Sequence, residues 1–138
     1  MGKILNMLFW LAILCFSCSK DEETKQTTEK STSVTVKYDV TWSGTPIPGL
    51  GSSIAYTNAT GNAQSDTNLS GSSWTKTFTV NTKDVKGLAL LVVVTTSKAG
   101  TSTVKISLDG KVRSENQAPS INASAGWFLH KAMAEFTF

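Results

Sequence analysis

Few residues in this chain are suited to covalent or acid–base chemistry. The thiols are Cys15 and Cys18, and His130 is the one imidazole. Beyond residue 33 the acids are Asp39, Asp66, Asp84, Asp109, Glu115 and Glu135, each isolated in sequence. No Cys/His spacing of a metal site is present, and no Gly-x-Ser-x-Gly elbow. Gly49-Leu50-Gly51 is not followed by a helical pattern, which a phosphate loop requires. His130 lies in an apolar stretch and reads as a structural histidine. The expectation is therefore a non-enzymatic protein with no metal and no cofactor. The remaining candidates are a thiol that accepts a lipid and aromatic side chains that make contacts.

The thiol is placed by its surroundings. Residues 1–17, MGKILNMLFWLAILCFS, carry one Lys and then an apolar run of about 13 residues, short of the ~20 that span a bilayer. A charged start, a short apolar core and small Ser17 before Cys18 make a secretory signal. Ser17-Cys18-Ser19 resembles the lipobox of bacterial lipoproteins of Bacteroidetes type, with Cys15 where Leu is usual. That resemblance implies lipid (diacylglycerol and palmitate) on Cys18, where two or more chains hold a protein stably on a membrane. Lys20-Asp21-Glu22-Glu23 resembles the export signal of surface lipoproteins. It implies an outer-membrane protein facing outward, with the periplasmic face as the alternative.

Residues 18–33 contain no aliphatic or aromatic side chain, so they read as the lipidated Cys and a flexible tether. Residues 34–138 read as one folded domain. Ser and Thr make up 36 of the 138 residues, while only 17% are charged. The net charge is +3 and the basic residues are scattered, which argues against nucleic acid as a partner. The length excludes a multidomain enzyme.

The domain alternates with period two. Val34, Val36, Tyr38, Val40 and Trp42 interleave with polar residues, and so do Trp74, Phe78 and Val80, and Val104, Ile106 and Leu108. Ser53–Thr57 suggests a further strand, and residues 58–73 read as loop. Leu88–Val94 is apolar throughout, as suits a strand covered on both sides. Asp109-Gly110 suits a two-residue hairpin turn. Near the C-terminus two spacings coexist. Phe128, Leu129, Ala132, Met133 and Phe136 fit a helical face, while Phe128, His130, Ala132, Ala134 and Phe136 alternate. Short strands at roughly ten-residue spacing predict an all-β, antiparallel β-sandwich of about seven strands, near the size of an immunoglobulin-like domain.

Four segments in order resemble the MmpS family, small periplasmic partners of mycobacterial lipid and siderophore transporters. They are Val36–Thr41, Ala55–Gln64, Trp74–Val80 and Val104–Val112. The resemblance implies an immunoglobulin-like β-sandwich, a strand at the C-terminus, and a role accessory to a transporter or cell-surface complex. The chain lacks the cysteines that many mycobacterial members place near the last strands, and residues 126–138 have no counterpart.

Trp42 and Trp74 read as core. Trp127 and Phe128, after Gly126, are the candidate contact aromatics. The expected function is a membrane-anchored interaction module with a membrane-protein or glycan partner. The alternative is a carrier of a hydrophobic ligand within or beside the sandwich. Cys18→Ala is expected to abolish palmitate labelling and to move the protein from the membrane to the soluble fraction; labelling that survives the substitution defeats the lipoprotein reading.

Overall fold

The structure, a computed structural model, describes residues 32–138. Cys18 and the Lys20–Glu23 stretch lie outside the described residues. Within them are nine strands: β1 (Ser33–Thr41), β2 (Ser53–Thr57), β3 (Ala63–Asp66), β4 (Ser73–Asn81), β5 (Gly87–Thr96), β6 (Thr101–Leu108), β7 (Lys111–Pro119), β8 (Ile121–Ser124) and β9 (Trp127–Thr137). No helix occurs among the described residues. All pairings are antiparallel, in a four-stranded sheet ordered β4-β1-β6-β7 and a five-stranded sheet ordered β3-β2-β5-β9-β8. The arrangement is consistent with a β-sandwich.

The alternating residues do what their period requires. Val36, Tyr38 and Val40 of β1, Val104 and Ile106 of β6, and Leu90, Val92 and Val94 of β5 are all fully or almost fully buried in one core. Their polar neighbours point outward, because successive side chains of a strand take opposite faces. The Asp109-Gly110 turn forms as the sequence leads one to expect, with φ of 48° and 79°. Asp109 also accepts a hydrogen bond from Thr35 N through Oδ1, at 2.9 Å, and so ties the hairpin to β1.

Two expectations are corrected and one open alternative is decided. Residues 58–73 are not all loop: Ala63–Asp66 pairs with β2 as β3. β3 and β8 raise the count from about seven to nine. Both are four residues long and almost wholly exposed, so neither carries the apolar alternation that reveals a strand. Of the two spacings left open at the C-terminus the alternating one is realised: residues 127–137 form a strand. β9 pairs with β5 over ten positions, from Gly87↔Thr137 to Thr96↔Phe128. This places His130, Ala132 and Ala134 in the core.

The sandwich closes on one side and stays open on the other. β7 continues into β8 through Ser120 alone, so the chain passes from one sheet to the other at that corner. Ser120 N donates to Gly100 O at 2.7 Å and Ser120 Oγ accepts from Gly100 N at 3.0 Å. Farther along, Asn116 Nδ2 donates to Met133 O at 2.9 Å, covering part of the free edge of β9. Ala132 and Ala134 let the sheets approach there; backbones of β6 and β9 come within 8 Å, against a usual sheet separation of about 10 Å.

A polar knot finishes the end of the core beside this corner. Thr96, fully buried, has Oγ1 2.8 Å from Ser43 O and 3.0 Å from Lys98 O. Its Oγ1 accepts from Lys98 N at 3.2 Å. His130 Nε2 lies 3.1 Å from Lys98 O and 3.1 Å from Thr96 Oγ1. A carbonyl oxygen only accepts, so the proton belongs on Nε2; Nδ1 has no partner among the described residues. Gly44 enters the knot at φ +87°, where an added Cβ would stand 2.9 Å from Lys98 Cβ and 3.1 Å from Thr96 Oγ1. Gly44→Ala is expected to destabilise the fold by about 1–3 kcal/mol, read from the urea midpoint; an unchanged midpoint would show that the knot tolerates slack.

Candidate functional site

The residues named as contact aromatics part company. Trp127 opens β9 on its outward side and is 43% exposed, whereas Phe128 is half-buried and lies on the other side of the strand, the side of His130. They therefore do not form an exposed pair. Trp127 instead belongs to a larger surface, the outer face of the five-stranded sheet.

That face follows from the register. On β5, Leu88, Leu90, Val92 and Val94 point inward, leaving Ala89, Leu91 and Val93 outward and half-buried. Leu91 lies directly opposite Ala55 of β2 and Met133 of β9. Residues directly opposite share a face, so Ala55, Leu91 and Met133 make an apolar row across three strands. Ile121 of β8 stands opposite Leu129 of β9 on the same face. Met133 is 43% and Ile121 60% exposed. Among the described residues no other strand packs over this face; the four-stranded sheet lies against the opposite one.

The continuous run Leu88–Val94 is thus not covered on both sides as its composition suggests. One half fills the core and the other half is the middle of an open surface. The run signals a second apolar face; Met133 and Leu129 are hidden by the ambiguous spacing of the C-terminal segment, and Ile121 by the unpatterned, exposed strand β8. Two charges sit among these outward side chains on β9, Lys131 and Glu135, either side of Met133, and both are exposed.

The open side of the sandwich carries a second cluster. Trp74, Lys76 and Phe78 of β4 point inward, toward Tyr38, Tyr56 and Asp66. Asp66 Oδ2 accepts from Trp74 Nε1 at 3.1 Å, and Oδ1 accepts from Tyr56 Oη at 3.3 Å. Lys76 Nζ donates to Tyr56 Oη and lies 3.6 Å from Asp66 Oδ2. The rings of Tyr38, Tyr56, Phe78 and Trp74 meet edge-on or tilted, with centroids 5.2–5.9 Å apart. Trp74 is accordingly half-buried at this edge, whereas Trp42 is buried.

The cluster acts first as a latch, joining β4 of one sheet to β2 and β3 of the other. Beside it lies an open cleft of about 220 Å³ lined by Tyr56, Lys76, Phe78 and the β2–β3 turn. A wider cleft of about 360 Å³ follows the β1–β2 loop from Pro46 to Ser52. The Gly49-Leu50-Gly51 segment lies in it and leads into strand β2. Among the described residues no three His, Cys, Asp or Glu side chains gather as a metal site.

The latch also sets a pH limit. The hydrogen bond to Tyr56 raises the Lys76 ammonium above its ordinary value of 10.5, helped by the nearby Asp66 carboxylate. Burial, and then Tyr56, push the Tyr38 phenol well above 10.0. Both groups bind their protons more tightly folded than unfolded. Their contribution to stability is complete below about pH 10 and is lost as pH rises beyond it. The urea midpoint is expected to fall as pH rises from about 10 to about 12, and less steeply in Tyr38→Phe; equal slopes would remove Tyr38 from the account.

The chain matches no protein-family model, and no curated protein matches it.

Proposed function

We propose that this protein is a membrane-anchored, non-enzymatic interaction module, held at the outer membrane by lipid on Cys18. Its contact surface is the outer face of the five-stranded sheet. The observation that carries the reading is the open apolar row Ala55–Leu91–Met133, extended by Leu129, Ile121 and Trp127. Soluble proteins rarely leave large contiguous apolar patches uncovered unless something binds there. The lipobox resemblance at Ser17-Cys18 supports the anchor, and Lys20–Glu23 supports exposure at the cell surface. The pairing of β1 with β4 in one sheet and β2 with β5 in the other supports an immunoglobulin-like arrangement, as does the MmpS-like order of segments. On this reading the partner is a neighbouring membrane protein or surface glycan of a transporter or surface complex.

The carrier reading draws on the cleft beside Tyr56 and Phe78. That cleft, at about 220 Å³, is smaller than the ~300–1,000 Å³ of small-molecule sites; the cleft at the β1–β2 loop, at about 360 Å³, reaches that range but lies among loop residues such as Gly49, Ser52, Thr67 and Asn68. The space between the sheets is filled by Tyr38, Leu90 and Ile106, which weighs toward an interaction module.

A photo-crosslinking amino acid at position 133 tests the surface, with position 79, outward on the four-stranded sheet, as the control. Cross-linked product on native cells is expected from 133 and not from 79. Silence at both positions, or equal yield at both, would overturn the assignment of the face.

A further inference from the structure

We infer that the outer face of the five-stranded sheet is self-complementary and pairs with the same face of a second copy of this chain. The inference rests on the reading of this face as a contact surface and names its occupant.

The argument lies in the order of charges along β9. Lys131, Met133 and Glu135 are successive outward residues. At about 3.3 Å rise per residue, Lys131 and Glu135 stand ~13 Å apart, beyond reach of each other. Neither makes an ion pair among the described residues; those present join Lys37 to Asp39, Lys76 to Asp66 and Lys105 to Glu115. The outward positions of β2 and β5 are Ser53, Ala55, Thr57, Ala89, Leu91, Val93 and Thr95, all uncharged. The central strands of the face therefore hold one cation and one anion, spaced evenly about Met133.

A twofold axis gives that spacing its use. Let the axis run in the plane of the interface, across the strands, through Met133. Leu91 and Ala55 lie on the same line, since each is directly opposite the next in register. Rotation about this axis reverses the strand direction and stacks the row Ala55–Leu91–Met133 on its own copy. Lys131 of each copy then lies over Glu135 of the other, twice. An axis along the strand would set Lys131 over Lys131 and Glu135 over Glu135, so the charges select one of the two orientations. Apolar sheet faces about 10 Å apart and mutually twisted by about 30° are an ordinary packing of sheets, and long Lys and Glu side chains bridge that gap at its edge. Such an isologous contact closes on itself and stops at two copies.

The test is made in native membranes with the full chain. Met133→Cys places a thiol next to the axis. Across sheets about 10 Å apart two such thiols are too distant for a direct disulfide, so a short bismaleimide is used and is expected to yield a covalent dimer, while Thr79→Cys, on the other sheet, is expected to yield none. In the Met133→Cys background, Lys131→Glu alone or Glu135→Lys alone is expected to lower the dimer yield about tenfold, since like charges then face each other twice. Co-expressing the two single variants with different tags restores both ion pairs, so the mixed dimer is expected to return while each homodimer stays low. Both sites are exposed, and unchanged thermal midpoints check that the variants fold. No dimer from Met133→Cys, or yields indifferent to the charge changes, overturns the inference. If photo-crosslinks from position 133 then reach another macromolecule, the contact surface stands and only its self-pairing falls. If they reach nothing, both fall.

Discussion

The register of β5 governs the rest of the molecule. In most half-buried strands a slip of one residue would drive polar side chains into the core, and that cost fixes the register. β5 has no such protection along Leu88–Val94, since either face could be the inner one. The choice is made at its end. Thr96 is the residue whose hydroxyl meets Ser43 O and Lys98 O when the strand is seated as observed. His130, opposite Val94 on β9, reaches the same carbonyl of Lys98. A slip would strand these buried polar groups, at about 1–3 kcal/mol for each one left unsatisfied. Polar atoms thus specify what apolar atoms leave undecided. The same seating decides that Leu91 and Val93 face out, and through pairing that Met133 does too.

How much of this is legible in the sequence depends on how strongly each segment is biased. β1, β4 and β6 alternate Val, Tyr, Trp, Phe and Ile with polar residues, and their existence and inner faces can be read directly. The Asp109-Gly110 turn is legible for a local reason, since both residues tolerate positive φ. β3 and β8 are not legible: Ala63-Gln64-Ser65-Asp66 and Ile121-Asn122-Ala123-Ser124 are strands because a neighbour supplies their hydrogen bonds. β9 is legible only as one of two spacings. Its Ala132 and Ala134 are small because β6 lies close, and small residues make a helix pattern as good as a strand pattern. The open apolar face is half visible: Trp127 stands out by type, but Ala55, Leu91 and Ile121 lie on three other strands and enter through pairing.

The two open features of the domain differ in kind. The outer face of the five-stranded sheet is apolar and nearly uncharged at its centre, where β5 is paired on both sides by β2 and β9. The β3–β4 side is aromatic and charged, and its polar groups already satisfy one another through Asp66. A surface of the first kind gains from being covered. The second has its own partners in place, so covering it would have to exchange one set of hydrogen bonds for another.

The inward cation Lys76 has a consequence for crowded conditions. β4 is nine residues long and sits at the edge of its sheet, with one row of backbone donors and acceptors unpaired by any neighbouring strand among the described residues. Such an edge is a template on which another extended chain can add, and addition repeated from molecule to molecule ends in aggregation. A strand docking there to extend the sandwich would have to bury the Lys76 ammonium against its own apolar side chains or break the latch to Asp66. Either is costly. One charged side chain turned the wrong way for packing thus keeps the long edge from growing, even where many copies stand side by side.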